Sequence, residues 1–345
     1  MTQQAINSRT SRHQNKRLTI RVMSEPHVSS TSLENLVKRV AKIVDGERSI
    51  SNKELIELCK EQGGFNSAVD SHFYHEIAET AINSLIQEKY GQHLLASIDP
   101  VVAVSKILRP LQKRLPTQTW RSETQIAFQQ FSTPATIGYL AAYLLIIQSD
   151  ETVLEPSCGT GSLAVWASAA GAKVITNEID PRRRTLAHAL GLKAFTVDAE
   201  FVDDLLPHDL IPDIVLVNPP FSSTGGRVHG NSCEFGFRHV ESALRRLRPG
   251  GRFAAILGEN GSFTSATGSR FWNSLCHEIR VRMSIELLGR EFYRNGTSVK
   301  TTLIIGTKHV SSRGTTSDEV GNATHIVAKS VEDAFEQALA LNMRF

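Results

Sequence analysis

Four consecutive residues, Asn218-Pro219-Pro220-Phe221, have the side chains and the spacing to hold a planar amine. They follow the apolar run at 213–217, which predicts a buried strand. Two prolines remove two backbone donors and stiffen the loop. The Asn218 amide oxygen and the Pro219 carbonyl can then both accept hydrogen bonds from one exocyclic NH2 group, and Phe221 offers a flat face for stacking on a base. The pattern also fits an ordinary loop with a core phenylalanine, but the preceding strand favours a functional site.

The segment at 155–161 predicts a tight turn between a strand and a helix. Its two glycines let the backbone turn sharply and come close to a ligand, although a glycine turn is often only structural. The spacing matches neither the dinucleotide fingerprint nor the P-loop, and the acid ahead of the turn favours a ligand with an ammonium or sulfonium charge. We expect the thiol in this turn to pack rather than react. The residues concerned are Glu155, Ser157, Cys158, Gly159 and Gly161.

Acidic residues follow the next two predicted strands. Glu178 comes directly after the strand at 173–177, where a carboxylate can accept hydrogen bonds from ribose hydroxyls. Asp180 precedes Pro181 and so predicts the cap of the following helix, with the proline at its first position. Asp198 ends a further strand, where it could accept from an adenine amino group or serve only as a turn residue.

The elements that must position these residues alternate between strands and helices after residue 131. This alternation predicts a parallel sheet covered on both faces, with sites at the carboxyl ends of the strands. The predicted strands are Thr152–Glu155, Lys173–Asn177, Ala194–Val197, Asp213–Val217, Arg252–Leu257, Arg282–Leu287 and Thr301–Gly306.

Two different segments precede this pattern. Residues 1–32 contain five lysines and arginines and one acid, which predicts a disordered basic arm, either solvated or in contact with nucleic-acid phosphate. Residues 33–120 have apolar residues at helical spacing and predict a helical domain. Within it, Ser51 and Glu54 have the spacing of a capping box, whereas Arg182, Arg183 and Arg184 further on are expected on a solvated helix face.

Composition limits the class of protein. The 345 residues are 41% hydrophobic and 21% charged, as in globular proteins, and the net charge of +3 excludes a histone-like basic coat. The longest apolar run, Ile137–Ile147, is shorter than the roughly 20 residues of a membrane span, so we expect no membrane. No leader peptide is recognisable and the four cysteines are far apart, which favours a reducing cytoplasm and no metal site.

Together the motifs resemble those of S-adenosylmethionine-dependent N6-adenine DNA methyltransferases. The family's elements correspond here to Glu155–Gly161, Asn177–Asp180, Asp198 and Asn218–Phe221. The segment Gln130-Phe131-Ser132-Thr133-Pro134 resembles the family's element for the methionine end of the cofactor. Its place ahead of the others is similar to the gamma-type order of type I modification subunits and of phage or plasmid anti-restriction methylase modules.

The resemblance covers roughly residues 128–307. For 121–310 it implies a Rossmann-like class I methyltransferase α/β fold, with a seven-stranded, mostly parallel sheet and one antiparallel strand; 311–345 form a C-terminal extension. It implies S-adenosyl-L-methionine as cofactor and Asn218-Pro219-Pro220-Phe221 as the catalytic segment that holds a flipped adenine.

Thr133 is also expected to cap the next helix, with Pro134 at its first position. The implied cofactor contacts are Phe131, Thr133, Glu155, Ser157, Cys158, Gly159, Gly161, Glu178, Ile179, Asp198 and Asn218. The candidates for stacking on the base or contacting DNA are Phe221, Arg227, Phe292 and Tyr293.

Other acceptors and other modes of action stay open. RNA amino groups or a protein glutamine amide present a similar NH2 group, although Phe221 in place of the tyrosine more usual in glutamine methylases favours nucleic acid. The chain could also depend on a separate specificity or helicase subunit, because no large target-recognition domain follows the last predicted strand. DNA is the expected partner and the cytoplasm the expected location.

Overall fold

The computed structural model describes residues 30–62, 71–118, 131–220, 232–288, 291–296, 299–310 and 323–345. Its centre is a sheet of eight strands. These are β1 (Thr152–Glu155), β2 (Lys173–Asn177), β3 (Ala194–Phe195), β4 (Ile214–Val217), β5 (Arg252–Gly258), β6 (Ile279–Leu287), β7 (Thr301–Lys308) and β8 (Thr324–Ala328). Their order across the sheet is β3-β2-β1-β4-β5-β7-β6-β8.

One strand runs against the others. β7 is antiparallel to β5 and β6, and every other neighbouring pair is parallel. The predicted mostly parallel sheet with one antiparallel strand is therefore confirmed. Because side chains alternate between the faces of a strand, Ile214 and Leu216 of β4 enter one core, whereas Val215 and Val217 enter the other.

Helices cover both of these cores. The described helices are α1 (Ser30–Asp45), α2 (Asn52–Gln62), α3 (Ser71–Leu85), α4 (Gly91–Leu95), α5 (Pro100–Ala103), α6 (Arg109–Arg114), α7 (Ala135–Leu145), α8 (Ala164–Ala169), α9 (Pro181–Ala189), α10 (Val202–Leu205), α11 (Ser232–Arg246), α12 (Ala266–Ser274) and α13 (Val331–Ala340). None of the helices in the described ranges is both long and apolar enough to cross a membrane.

Helices α1 to α6 form a helical segment that packs directly on the sheet's own helices. The predicted capping box is confirmed: Ser51 N donates to Glu54 Oε2 at 2.9 Å, and Glu54 N donates to Ser51 Oγ at 3.2 Å. Tyr139 of α7 donates its hydroxyl to the Leu94 carbonyl at 2.7 Å. A Cβ added at Gly91 would lie 2.5 Å from the Ala169 Cβ of α8, so the two layers touch without a gap. The division into domains stays a prediction.

The eighth strand comes from the predicted C-terminal extension and corrects the expected strand number. β8 pairs in parallel with β6. Its Ile326 and Ala328 are buried, whereas its other three residues are partly or fully exposed, which leaves only a weak hydrophobic signal in the sequence. The following helix, α13, places Phe335 against Tyr139, with ring centroids 5.2 Å apart. This part of the extension is therefore an integral layer of the fold.

Candidate active site

The glycine turn joins β1 to the helix α8 at the carboxyl edge of the sheet. Gly159 has φ +55° and Gly161 has φ +87°, conformations that other residues rarely adopt. A Cβ at Gly159 would also lie 3.1 Å from the Arg183 guanidinium. The Cys158 amide donates to the Asn177 carbonyl at 2.9 Å, which fixes the turn against the end of β2.

Two side chains of the turn have roles in packing and support. Glu155 is buried, and its Oε2 accepts a hydrogen bond from the Ala164 amide at 2.7 Å, so it holds the first turn of α8. Burial raises the pKa of the Glu155 carboxyl well above its ordinary value. Burial likewise raises the pKa of the Cys158 thiol, which keeps this core side chain protonated.

Glu178 connects the glycine turn to the helix after β2. Its Oε2 accepts from the Gly159 amide at 2.7 Å, and its Oε1 accepts from the Asp180 amide at 2.8 Å. Burial raises the pKa of this carboxyl. The neighbouring Ile179 is 58% exposed, so an apolar side chain stands open beside the turn. The predicted cap is confirmed: Asp180 accepts from the Arg182 amide at 2.9 Å, with Pro181 at the first helical position.

Asp198, after the third strand, and Ser157, within the glycine turn, both have partners among the described residues. Asp198 accepts from the Glu200 amide at 3.1 Å, the turn role that the sequence left open. Ser157 Oγ lies 3.2 Å from Nδ1 of His239 on α11. Burial lowers the pKa of His239 to about 4, so this imidazole is neutral at pH 7. No spacing in the sequence connects Ser157 to a histidine 82 residues away.

Asn218 follows β4, and its amide has a fixed orientation. Nδ2 donates to Thr133 Oγ1 at 2.8 Å. Oδ1 is buried and has no hydrogen-bond partner in the described part of the chain. A buried carbonyl oxygen without a donor is costly, so this atom indicates a place where a ligand donor belongs. The site therefore contains an acceptor whose direction is set by Thr133.

The predicted capping role of Thr133 is wrong. The cap of α7 is Pro134 itself, whose carbonyl accepts from the Ile137 and Gly138 amides at 3.0 Å, and the helix begins at Ala135. The Thr133 hydroxyl is instead the acceptor for Asn218. The sequence patterns did not predict this hydrogen bond because it joins residues 85 positions apart.

The aromatic candidates and Arg227 differ in how exposed they are and in whether the structure describes them. Phe292 is fully buried, so its expected stacking on a base is wrong; its ring belongs to the core beneath the sheet's helices. Tyr293 is 63% exposed and stays a candidate. Phe131 is buried close to the surface of the same core. Phe221 and Arg227 lie outside the described residues.

The expected solvated face of arginines is also wrong for two of its members. Arg182 Nε lies 2.9 Å from Glu76 Oε2, and Arg183 Nε lies 3.3 Å from Glu76 Oε1. The helix α3 covers them, and His72 adds a contact of 3.1 Å to the same carboxylate. These charges hold the pKa of Glu76 at about 2 despite its burial. The sequence does not indicate this role of Glu76, because its partner Arg182 lies 106 residues away.

Comparison with known proteins agrees with this architecture. Residues 140–273 match the family model described as the methyltransferase small domain. The methylase subunit of the type I restriction enzyme StySPI from Salmonella potsdam is 27% identical over 225 residues, which are 54% of this chain and 42% of that protein. The chain thus spans less than half the length of this curated relative.

Two solved structures are similar to this chain, and the first of them supports the same fold. A Listeria monocytogenes protein described as a class I S-adenosylmethionine-dependent methyltransferase is 17% identical, with a TM-score of 0.50, over 91% of this chain and 97% of that one. A modification subunit of a type I restriction enzyme from Vibrio vulnificus is 15% identical, with a TM-score of 0.48, over 85% of this chain and 62% of that one.

These findings establish the class I methyltransferase fold and support S-adenosyl-L-methionine as the cofactor. The motif order, the family match and the curated relative agree in what this chain is similar to: it resembles the S-adenosylmethionine-dependent N6-adenine DNA methyltransferases of the type I modification group.

Proposed function

We propose that this chain transfers a methyl group from S-adenosyl-L-methionine to the N6 amino group of adenine in DNA, with the base flipped out of its stack. The observation that carries the proposal is the Asn218 amide. Its Nδ2 is engaged by Thr133 Oγ1, so the buried Oδ1 is the atom left to accept from a substrate. An N6 amino group is a donor of the required kind.

The residues around the glycine turn fit the cofactor. Gly159 and Gly161 hold the left-handed backbone that makes this turn tight enough to come close to a ligand, while Arg183 and Leu192 fill the positions that side chains would take there. Exposed Ile179 offers an apolar surface for an adenine ring. Both oxygens of Glu178 already accept one amide each, but a carboxylate oxygen has a second lone pair that can accept a ribose hydroxyl. When bound, the cofactor supplies a methyl group activated by its sulfonium.

The chain's own residues position and polarise the acceptor. The lone pair of the N6 nitrogen is delocalised into the adenine ring, which makes it a poor nucleophile. Hydrogen bonds from N6 to Asn218 Oδ1 and to the Pro219 carbonyl favour a more tetrahedral nitrogen and stabilise the positive charge that develops there. Holding both reactants in line supplies the rest, so no nucleophilic cysteine or serine is needed.

The test is a labelling experiment on the purified chain. DNA, RNA and protein are incubated separately with methyl-labelled cofactor, and the DNA is digested to nucleosides for mass spectrometry. We expect label in DNA as N6-methyladenine. Asn218→Ala should abolish transfer, whereas Asn218→Asp, which keeps an acceptor oxygen, should retain part of it. Asn273→Ala on the exposed face of α12 is the matched control. Label only in RNA, or undiminished transfer by Asn218→Ala, would refute the proposal.

A protein acceptor or an RNA acceptor is the alternative for the same site, because each presents an NH2 group that Asn218 Oδ1 could receive. A second candidate is a methylase subunit with little activity alone. The match to a type I methylase subunit over less than half of its length supports this candidate. Under this second candidate the chain acts together with a specificity or helicase subunit, in restriction-modification or anti-restriction. Robust transfer by the isolated chain would reject it.

A further inference from the structure

The helix α3 carries two carboxylates one turn apart that differ in their surroundings. Glu76 is neutralised by Arg182 and Arg183. Glu79 is only partly buried, and no basic side chain of the described residues lies within ion-pair distance of it. Its Oε1 accepts a hydrogen bond from Asn295 Nδ2 at 2.8 Å. Burial raises the pKa of Glu79, and a hydrogen bond with the Ser132 side chain opposes that rise.

Glu79 lines a cleft between the helical segment and the methyltransferase fold. The cleft holds about 510 Å³, open solvent included, and Thr133 and Ser162 line it as well. Ser162 follows the glycine turn directly. Asn83 donates to the Thr160 carbonyl at 3.1 Å, which ties α3 to that turn. The cleft therefore includes Thr133, from the element that resembles the family's site for the methionine end of the cofactor, and the residue that follows the glycine turn.

The charged groups that face Glu79 leave room for a cation. Glu76 and His72 belong to its own helix, and Arg183 is already paired with Glu76. His75 also lines the cleft, but burial lowers its pKa to about 4 and leaves it neutral at pH 7. Arg294 lines the cleft too, and its guanidinium donates to the Leu115 carbonyl at 3.0 Å. One carboxylate and one guanidinium in a cleft are complementary to the two charges of an α-amino acid.

We propose that Glu79 binds the α-ammonium group of the methionine part of S-adenosyl-L-methionine, so that the helical segment completes the cofactor site. The inference rests on the cofactor of the proposed function. An ammonium group would supply the positive charge that Glu79 lacks and would donate a charge-assisted hydrogen bond to its carboxylate.

The test measures binding by isothermal titration of the full chain, without any acceptor. S-adenosylhomocysteine carries the α-ammonium group, and 5′-methylthioadenosine has the same nucleoside and thioether without the amino acid. We expect Glu79→Gln to weaken binding of S-adenosylhomocysteine about tenfold to a hundredfold, the range for a lost charged hydrogen bond, and to leave binding of 5′-methylthioadenosine unchanged. Glu88→Gln, the same change at an exposed position after α3, should alter neither.

Equal weakening of both ligands by Glu79→Gln, or no weakening of either, would overturn the inference. If this variant does not fold, the wild-type chain decides with the deaminated analogue of S-adenosylhomocysteine: an affinity undiminished by loss of the amino group overturns the inference. A wild-type chain that binds no S-adenosylhomocysteine overturns both the inference and the cofactor assignment. A chain that binds it as expected but methylates no DNA refutes only the proposed acceptor.

Discussion

Replacing Thr133 by valine removes the acceptor that orients the Asn218 amide while it keeps the shape of the side chain. In the wild-type chain the hydrogen bond from Nδ2 to Thr133 Oγ1 is 2.8 Å long. Valine cannot accept it, so the amide loses the contact that distinguishes its two orientations. If the Asn218 amide flips by 180°, its NH2 group takes the place of Oδ1 and faces the substrate's amino group. Both groups are then hydrogen-bond donors, so no hydrogen bond forms between them.

The size of the effect follows from this one contact. A neutral hydrogen bond contributes a net free energy of about 0.5–1.5 kcal/mol, which corresponds to a factor of about 2 to 13 in the preference for the productive orientation. Without this contact the two orientations become about equally populated, so the productive fraction falls from about 70–93% to about 50%, and we expect Thr133→Val to reduce the methylation rate about 1.4- to 1.9-fold at saturating cofactor and DNA. Thr133→Ser keeps the hydroxyl and should stay close to the wild-type rate.

The assay is the initial rate of N6-methyladenine formation for the two variants and the wild type. Because Thr133 is also a candidate cofactor contact, the affinity for S-adenosylhomocysteine is measured in parallel, which separates a binding loss from an orientation loss. A valine variant that methylates as fast as the serine variant would refute the role assigned to this hydrogen bond.

Three further predictions concern residues that support the site. Glu178→Ala removes the acceptor of the Gly159 and Asp180 amides and should weaken S-adenosylhomocysteine binding about tenfold in a calorimetric titration; unchanged affinity would contradict this. Asp180→Ala removes the α9 cap and should lower the free energy of unfolding in urea by about 1 kcal/mol. Glu76→Gln should lower it by about 3–5 kcal/mol at pH 7. Because the folded pKa of Glu76, about 2, is below its ordinary 4.5, the wild type should lose this stabilisation as the pH falls from 4.5 towards 2, and the variant should not.

Strands were predictable wherever a short apolar run ends at a turn residue. β1 and β2 have the predicted bounds, and β4 begins one residue later than predicted. β3 is shorter than predicted, since only Ala194 and Phe195 pair with β2 at the edge of the sheet. The eighth strand was missed because an edge strand with only Ile326 and Ala328 buried has little apolar signal.

Local contacts in the site were predictable, whereas long-range ones were not. The cap formed by Asp180 depends on its immediate neighbours, and the sequence therefore indicates it directly. The Thr133–Asn218 bond and the Glu76–Arg182 pair join distant residues, and each changed the role of a side chain that looked simple in its local context. Helical periodicity shows which face of a helix is apolar, but not which distant charge will meet it.

The close contact between Gly91 of the helical segment and Ala169 of α8 limits how far these two parts of the molecule can move apart. Two lobes that touch this closely, and that share the bond from Tyr139 to Leu94, cannot swing apart as hinged halves without breaking their common interior. A Cβ at position 91 would lie 2.5 Å from the Ala169 Cβ and 2.6 Å from the Ile86 carbonyl oxygen, so an alanine there would force the helical segment away from α8.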